Sequence, residues 1–168
     1  KGGTPLHHAS TKNGIEATQF LVDKGADIES EDNEGRRPLH HAAGSNSIEV
    51  TRLLMEKGAD INATVNNGAQ PLHFAVLHDS LEVTQFLIGK GVDTDSTDYQ
   101  GQTPLHVAAM FNSISVARFL LSEGSDVKTL DKWGKTPLAY ATERNSADVI
   151  SLLTEYGAES LPPDRLDK

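Results

Sequence analysis

The chain has 168 residues, a formal net charge of −9, 37 % hydrophobic and 5 % aromatic residues, and no cysteine. The acidic balance argues against a broad nucleic-acid or anionic-membrane surface, which needs clustered Lys and Arg. The lack of cysteine excludes disulfides, thiol catalysis and Cys-ligated zinc, and no apolar run approaches the roughly 20 residues of a membrane helix.

Pro5, Pro38, Pro71, Pro104 and Pro137 recur every 33 residues; each is followed by Leu, and four of those leucines by His. Two glycine series keep the same interval: Gly2, Gly35, Gly68, Gly101, Gly134, and Gly25, Gly58, Gly91, Gly124, Gly157. A registered period of this length predicts repeats at 2–34, 35–67, 68–100, 101–133 and 134–166, stacked as one elongated solenoid domain. An extended surface without a natural deep pocket favours binding over catalysis. The chain begins with Lys1 inside a leading turn and shows no signal peptide, so it is expected to be a piece of a longer protein.

The first repeat carries Asn13 at its chain reversal and keeps Phe20, Leu21 and Val22 without a polar cap. Five acids follow between residues 27 and 34: Asp27, Glu29, Glu31, Asp32 and Glu34. The second repeat predicts a short helix over 38–45, with Pro38 at its first position, where a missing N–H costs nothing. Leu39, Ala42 and Ala43 fall on one face, and the alanines permit close helix approach. Asn46 then suits the left-handed backbone that ends a helix, as do Asp79, Asn112 and Asn145 in later copies. Ser47, Ser80, Ser113 and Ser146 are expected as side-chain N-caps, with Glu49 and Glu82 in the first turn. Ile48, Val50, Leu53, Leu54 and Met55 give the second helix a broad apolar face, Gly58 ends it, and Ala59 to Gly68 reads as a hairpin-like turn.

Later copies depart in particular places. Arg37 and Gln70 replace the cap threonine found at Thr4, Thr103 and Thr136, so Arg37→Thr and Gln70→Thr are expected to stabilise the domain. Val65 replaces the turn aspartate of Asp32, Asp98 and Asp131, which predicts a looser hairpin there. The fifth repeat has Ala139 in place of His and smaller or polar residues at Ala147 and Thr154; with Pro162-Pro163 and a charged tail it reads as a capping repeat.

Thr4-Pro5-Leu6-His7, Thr103-Pro104-Leu105-His106, the segment Lys57-Gly58-Ala59-Asp60-Ile61-Asn62 and Asp32-x-x-Gly35 resemble the ankyrin repeat. The resemblance covers residues 2 to about 161. It implies an α-solenoid of stacked units, each helix-turn-helix plus hairpin loop. It also implies that His7, His40, His73 and His106 hydrogen-bond within the framework of helix starts and loops. Where the family places Gly-His between the helices, this chain has Asn-Ser or Asp-Ser in four copies and Asn-Gly in the first, which meets the same backbone needs. Asn62, with Leu54 eight residues upstream, matches the family's Asn-hydroxylation position.

Chemistry-bearing patterns fail on inspection. Successive framework histidines should lie about 10 Å apart, too far to share a metal ion; His8 and His41 are extra and are expected to line the inner groove. Asp93 to Asp98 starts like a calcium loop but has Asp98 and Pro104 where Gly and Glu are required. Gly134-Lys135-Thr136 lacks the earlier Gly of a phosphate loop, Thr129 standing in its place. Asn62-Ala63-Thr64 fits a glycosylation sequon, which has no meaning in a cytosolic repeat protein. Neither a catalytic set nor a cofactor is expected.

The resemblance implies that partner contacts come from hairpin tips and from two variable residues late in each first helix. The helix pairs are Thr11-Lys12, Gly44-Ser45, Leu77-His78, Met110-Phe111 and Glu143-Arg144; the tips are Asn33-Glu34, Asn66-Asn67, Tyr99-Gln100 and Lys132-Trp133. The first two repeats are small and polar there, whereas the later ones bring Tyr99, Met110, Phe111 and Trp133, with Leu77, His78 and Arg144 at the margin. Aromatics, Met and Arg are what interface centres concentrate. The expected function is a non-enzymatic protein-interaction module binding a basic or apolar-tipped protein partner on its concave hairpin and inner-helix face. No nucleic acid, membrane or small-molecule substrate is expected, and the site would be intracellular, cytoplasmic or nuclear. The alternative is a regulatory or assembly segment of a larger enzyme, channel or adaptor.

Overall fold

The computed structural model describes residues 2–159; the Pro162-Pro163 tail and the end of the predicted 134–166 repeat lie outside them. The described residues hold ten helices and no strand: α1 Pro5–Thr11, α2 Ile15–Asp23, α3 Pro38–Gly44, α4 Ile48–Glu56, α5 Pro71–Leu77, α6 Leu81–Gly89, α7 Pro104–Phe111, α8 Ile114–Ser122, α9 Pro137–Glu143 and α10 Ala147–Glu155. Each repeat proline starts an odd-numbered helix. The residue before it is extended, with ψ between 164 and 168°, as a residue preceding proline must be.

Helices pack in two rows. The odd-numbered helices contact one another in succession, as do the even-numbered ones, and each pair is antiparallel across a short turn. The turn residue is left-handed in every copy: Asn13, Asn46, Asp79, Asn112 and Asn145 have φ between 50 and 58°. Leu39, Leu72, Leu105 and Leu138, each following its proline, are buried, as are Leu54, Leu87, Leu120 and Leu153 on the outer row. Each such leucine contributes roughly 1.5–3 kcal/mol relative to exposure. Repeat one differs. Leu21, the counterpart of the outer leucines, is half-buried, and Phe20 is 61 % exposed.

The serines before the even-numbered helices do not cap them through their side chains. Ser47, Ser80, Ser113 and Ser146 have ψ of 74 to 76°, not the extended value near 165° of the residues before the prolines. Two of these helices take their cap from the preceding repeat instead. Asn46 Oδ1 accepts from the Val83 amide of α6 at 3.3 Å, and Asp79 Oδ1 accepts from the Val116 amide of α8 at 2.9 Å. The left-handed turn residue therefore ends one helix and satisfies an orphan amide of the next repeat's outer helix.

The hairpins join edge to edge through single backbone bonds at their tips. Asn66 N donates to Glu34 O at 3.3 Å, Tyr99 N to Asn67 O at 2.9 Å and Lys132 N to Gln100 O at 2.9 Å. Close approach needs glycine on the facing side. A Cβ on Gly68, whose φ is +85°, would stand 2.4 Å from the Tyr99 ring.

Candidate functional site

The framework histidines tie each repeat to the next hairpin. The Nδ1 of His7, His40, His73 and His106 accepts from the backbone N–H of Thr4, Arg37, Gln70 and Thr103, at 3.0 to 3.2 Å. With Nδ1 accepting, Nε2 carries the proton and donates to a carbonyl of the following hairpin: Arg36, Ala63, Gln102 and Lys135 respectively, at 2.9 to 3.2 Å. Burial pushes the pKa of His40 down to about 4 and lowers those of His73 and His106, against the raising effect of those carbonyls. The neutral ring is the one the framework needs.

At the helix starts, Thr4 and Thr103 add a hydroxyl 2.8 Å from the histidine Nδ1. Gln70 supplies none, and its Oε1 is buried without a partner. Arg37 corrects the expectation made for it. Its guanidinium pairs with Glu29 and with Glu31 (3.3 Å) and approaches Asp60 at 4.0 Å. Glu29 also accepts from the Asp60 amide at 2.9 Å. Arg37 thus links the first two hairpins, and threonine would lose that link.

The turn aspartates share one device. One carboxylate oxygen accepts from the amides two and four residues on: Glu34 and Arg36 for Asp32, Gln100 and Gln102 for Asp98, Trp133 and Lys135 for Asp131, all at 2.8 to 3.0 Å. The Val65 hairpin lacks these side-chain bonds. It keeps the backbone pair Val65 N to Ala69 O and Gly68 N to Val65 O, and Asn67 Oδ1 accepts from the Ala69 amide at 3.1 Å.

His7, Asp32 and His41 have ligand-type atoms within 4.8 Å of one another, the one such group among the described residues. Every donor in it is used by the fold. Asp32 Oδ2 accepts from Arg36 Nε at 2.8 Å and His41 Nε2 at 3.0 Å, and both His7 nitrogens hold the framework bonds given above. Burial alone would raise the Asp32 pKa, but Arg36, His41 and the two amides outweigh it and hold the carboxyl well below the usual range. The set reads as a hydrogen-bond network rather than a metal centre. Exposed His8 lines the hollow beside it.

A row of hollows runs along the face made by odd-numbered helices and hairpins. The most apolar is a cleft of about 270 Å³ between repeats three and four, walled by Phe74, Leu77, Val107, Met110 and Phe111. Leu77 and Phe74 also border the neighbouring hollow, which His78 shares with His41, Gly44 and Ser45. Leu77, Met110 and Phe111 thus come together around one cleft, and His78 lies beside it. Tyr99 and Trp133 stand on successive hairpins outside its walls, 59 % exposed each, and Arg144 is exposed at the end of α9.

Reading the sequence for tips and helix ends missed Phe74 and Val107. They sit one residue after the framework histidines, where the other copies hold His8, His41 and Tyr140. That position faces the hairpin aspartate nine residues earlier: Asp32 bonds His41, and Asp131 accepts from the Tyr140 hydroxyl at 2.6 Å. The signal was present only in part: Asp32 with His41 and Asp131 with Tyr140 set polar against polar and Val65 with Phe74 apolar against apolar, while Asp98 with Val107 breaks the pattern.

No curated protein matches the chain. Among the described residues, no helix is long and apolar enough to cross a membrane. A family model described as ankyrin repeats (3 copies) matches residues 1–65 and 72–164, the interruption falling on the hairpin that carries Asn66, Asn67 and Gln70. With paired helices at a constant interval, left-handed turns and histidines bonded to the next hairpin, the chain belongs to the ankyrin-repeat family.

Proposed function

We propose that the chain is a non-enzymatic module that holds a protein partner against its hairpin and inner-helix face. Contact centres on Tyr99, Met110, Phe111 and Trp133, with Leu77, His78 and Arg144 around them. Ankyrin repeats are generally protein-interaction modules, and this reading assigns the general role to a particular patch.

The observation that carries it is the exposure of three aromatic residues at positions the framework leaves free. Tyr99, Phe111 and Trp133 are each more than half exposed. Their counterparts are Asn33, Asn66 and Lys132 for Tyr99, Lys12, Ser45, His78 and Arg144 for Phe111, and Glu34, Asn67 and Gln100 for Trp133. Large aromatics held in water gain nothing for folding, yet they dominate the centres of interfaces.

Affinity capture with the domain, followed by mass spectrometry, supplies the partner, and calorimetry with it then tests the patch. Trp133→Ala and Phe111→Ala should keep the melting temperature within a degree or two and weaken binding by about 2 kcal/mol or more. If both bind like the parent while Asn33 and Glu34 variants do not, the partner sits on the acidic first hairpin and the proposal fails.

A further inference from the structure

The turn aspartates and the residues nine positions after them form four pairs, of which three are matched. Asp32 faces His41, which donates to its Oδ2, and Arg36 adds a second donor. Val65 pairs with Phe74, apolar with apolar. Asp131 faces Tyr140, whose hydroxyl donates to its Oδ2 at 2.6 Å. The fourth pair is Asp98 with Val107. One Asp98 oxygen holds the Gln100 and Gln102 amides, as in the other hairpins. Among the described residues, nothing donates to the other.

Gln102, at the place Arg36 takes in the first hairpin, donates instead to the Tyr140 hydroxyl at 3.2 Å. No ion pair among the described residues involves Asp98. The residue is only 8 % exposed, and it lines the apolar cleft together with Phe74, Leu77, Val107, Met110 and Phe111. The second oxygen, which no group of the chain bonds among the described residues, opens into a cleft with apolar walls, where an incoming cation would meet it in a charge-assisted hydrogen bond. The cleft lining supplies none: it holds no Lys or Arg, and its one histidine, His73, spends its ring nitrogens on the Gln70 amide and the Gln102 carbonyl. Residues 68–100 carry one basic residue, Lys90, against Asp79, Glu82, Asp93, Asp95 and Asp98.

We infer that the cleft between repeats three and four receives a basic side chain, Arg or Lys, of the protein partner, and that an apolar neighbour in the same segment packs on Phe111 and Met110. The incoming cation does for Asp98 what His41 and Arg36 do for Asp32, and the apolar stem of Lys or Arg suits walls of Phe, Leu and Val. The exposed Phe111 ring at the rim adds a cation–π surface. This rests on the interaction reading above and narrows the partner to a segment pairing a cation with an apolar residue.

The probe is a random twelve-residue peptide library displayed on phage and selected on the folded domain. Selected peptides should share an Arg or Lys beside an aliphatic or aromatic residue. Asp98→Asn keeps the acceptor for the turn amides and removes the charge; Val107→His supplies an internal donor equivalent to that of His41. Both should weaken the selected peptides at least about tenfold in calorimetry, and circular dichroism should show unchanged folding.

Peptides without a basic residue, or basic peptides that bind Asp98→Asn as tightly as the parent, overturn the inference. If those same peptides still lose binding in Phe111→Ala, the interaction patch survives without its cation pocket. If Phe111→Ala, Trp133→Ala and Asp98→Asn all bind unchanged, both readings fall. A selection with no enrichment on the parent domain also overturns the peptide-borne cation.

Discussion

The hairpin that enters α3 and the hairpin that enters α7 share a backbone and differ in everything that meets it. In the first, both oxygens of Asp32 are bonded within the chain, and Arg37 gathers Glu29 and Glu31 behind it. In the third, Asp98 bonds only its own turn, and Val107, Met110 and Phe111 surround it. One carboxylate oxygen builds the turn, so it is invariant in its bonding. The other is set by residues four and nine places on, and there the repeats diverge into a closed polar junction and an open apolar one.

The sharpest way to break this comparison is to delete both carboxylates. Asp32→Ala should cost about 2–4 kcal/mol, because it removes the bonds from Arg36, His41 and two turn amides, although Arg36 keeps its pair with Glu34. Asp98→Ala loses only the two amide bonds and should cost about 1–3 kcal/mol. Urea unfolding of the two variants measures the gap, and equal losses would mean that the Arg36 and His41 bonds contribute nothing.

Acid tests the histidine ties common to both junctions. His40 is held neutral, its pKa pushed by burial to about 4 from an ordinary 6.5. The unfolded chain therefore binds the extra proton between those values. The stability from the neutral ring is complete above pH 6.5 and declines as pH falls toward 4, by roughly 3 kcal/mol for His40. His73 and His106 shift in the same direction. Urea midpoints measured from pH 7.5 down to 4.5 should fall steadily, and a flat profile would contradict the bonding scheme.

Smaller effects separate the helix starts. Arg37→Thr should destabilise by about 1 kcal/mol, since the lost pairs with Glu29 and Glu31 are partly exposed and the gained cap offsets part of them. Gln70→Thr should stabilise by about 0.5–1 kcal/mol, giving His73 the hydroxyl that His7 and His106 already have. Differential scanning calorimetry resolves both, and a raised melting temperature for Arg37→Thr as well as for Gln70→Thr would show that the Arg37 pairs carry no stability.

What could be read in advance was whatever a single repeat decides for itself. Asn46 and its counterparts are left-handed because one residue must reverse the chain, and Gly58 and Gly157 have positive φ for a similarly local reason. Bonds that cross repeats were hidden. Ser47, Ser80, Ser113 and Ser146 looked like caps, yet for α6 and α8 the acceptor comes from Asn46 and Asp79, more than 30 residues earlier. Arg37 looked like a poor cap because its partners, Glu29 and Glu31, lie on the hairpin behind it. The aromatic tips were visible from composition at variable positions. The floor beneath them was not, because Phe74 and Val107 acquire meaning only when set against Val65 and Asp98.

The borrowed caps give the stack a direction. At the junctions where Asn46 serves α6 and Asp79 serves α8, each unit lends an acceptor forward to the next outer helix, whereas on the inner row the acceptor comes from the other side, His73 and His106 donating to the Gln102 and Lys135 carbonyls of the following unit. Removing a unit from the front would leave its successor's outer helix with an unanswered amide, while removing one from the back would leave the framework histidine of its predecessor without its carbonyl. Truncation from the two ends is therefore unequal in kind. Erosion from the N-terminal side should show first in the outer helices that lose a borrowed cap, and erosion from the C-terminal side in the histidine ties of the inner row.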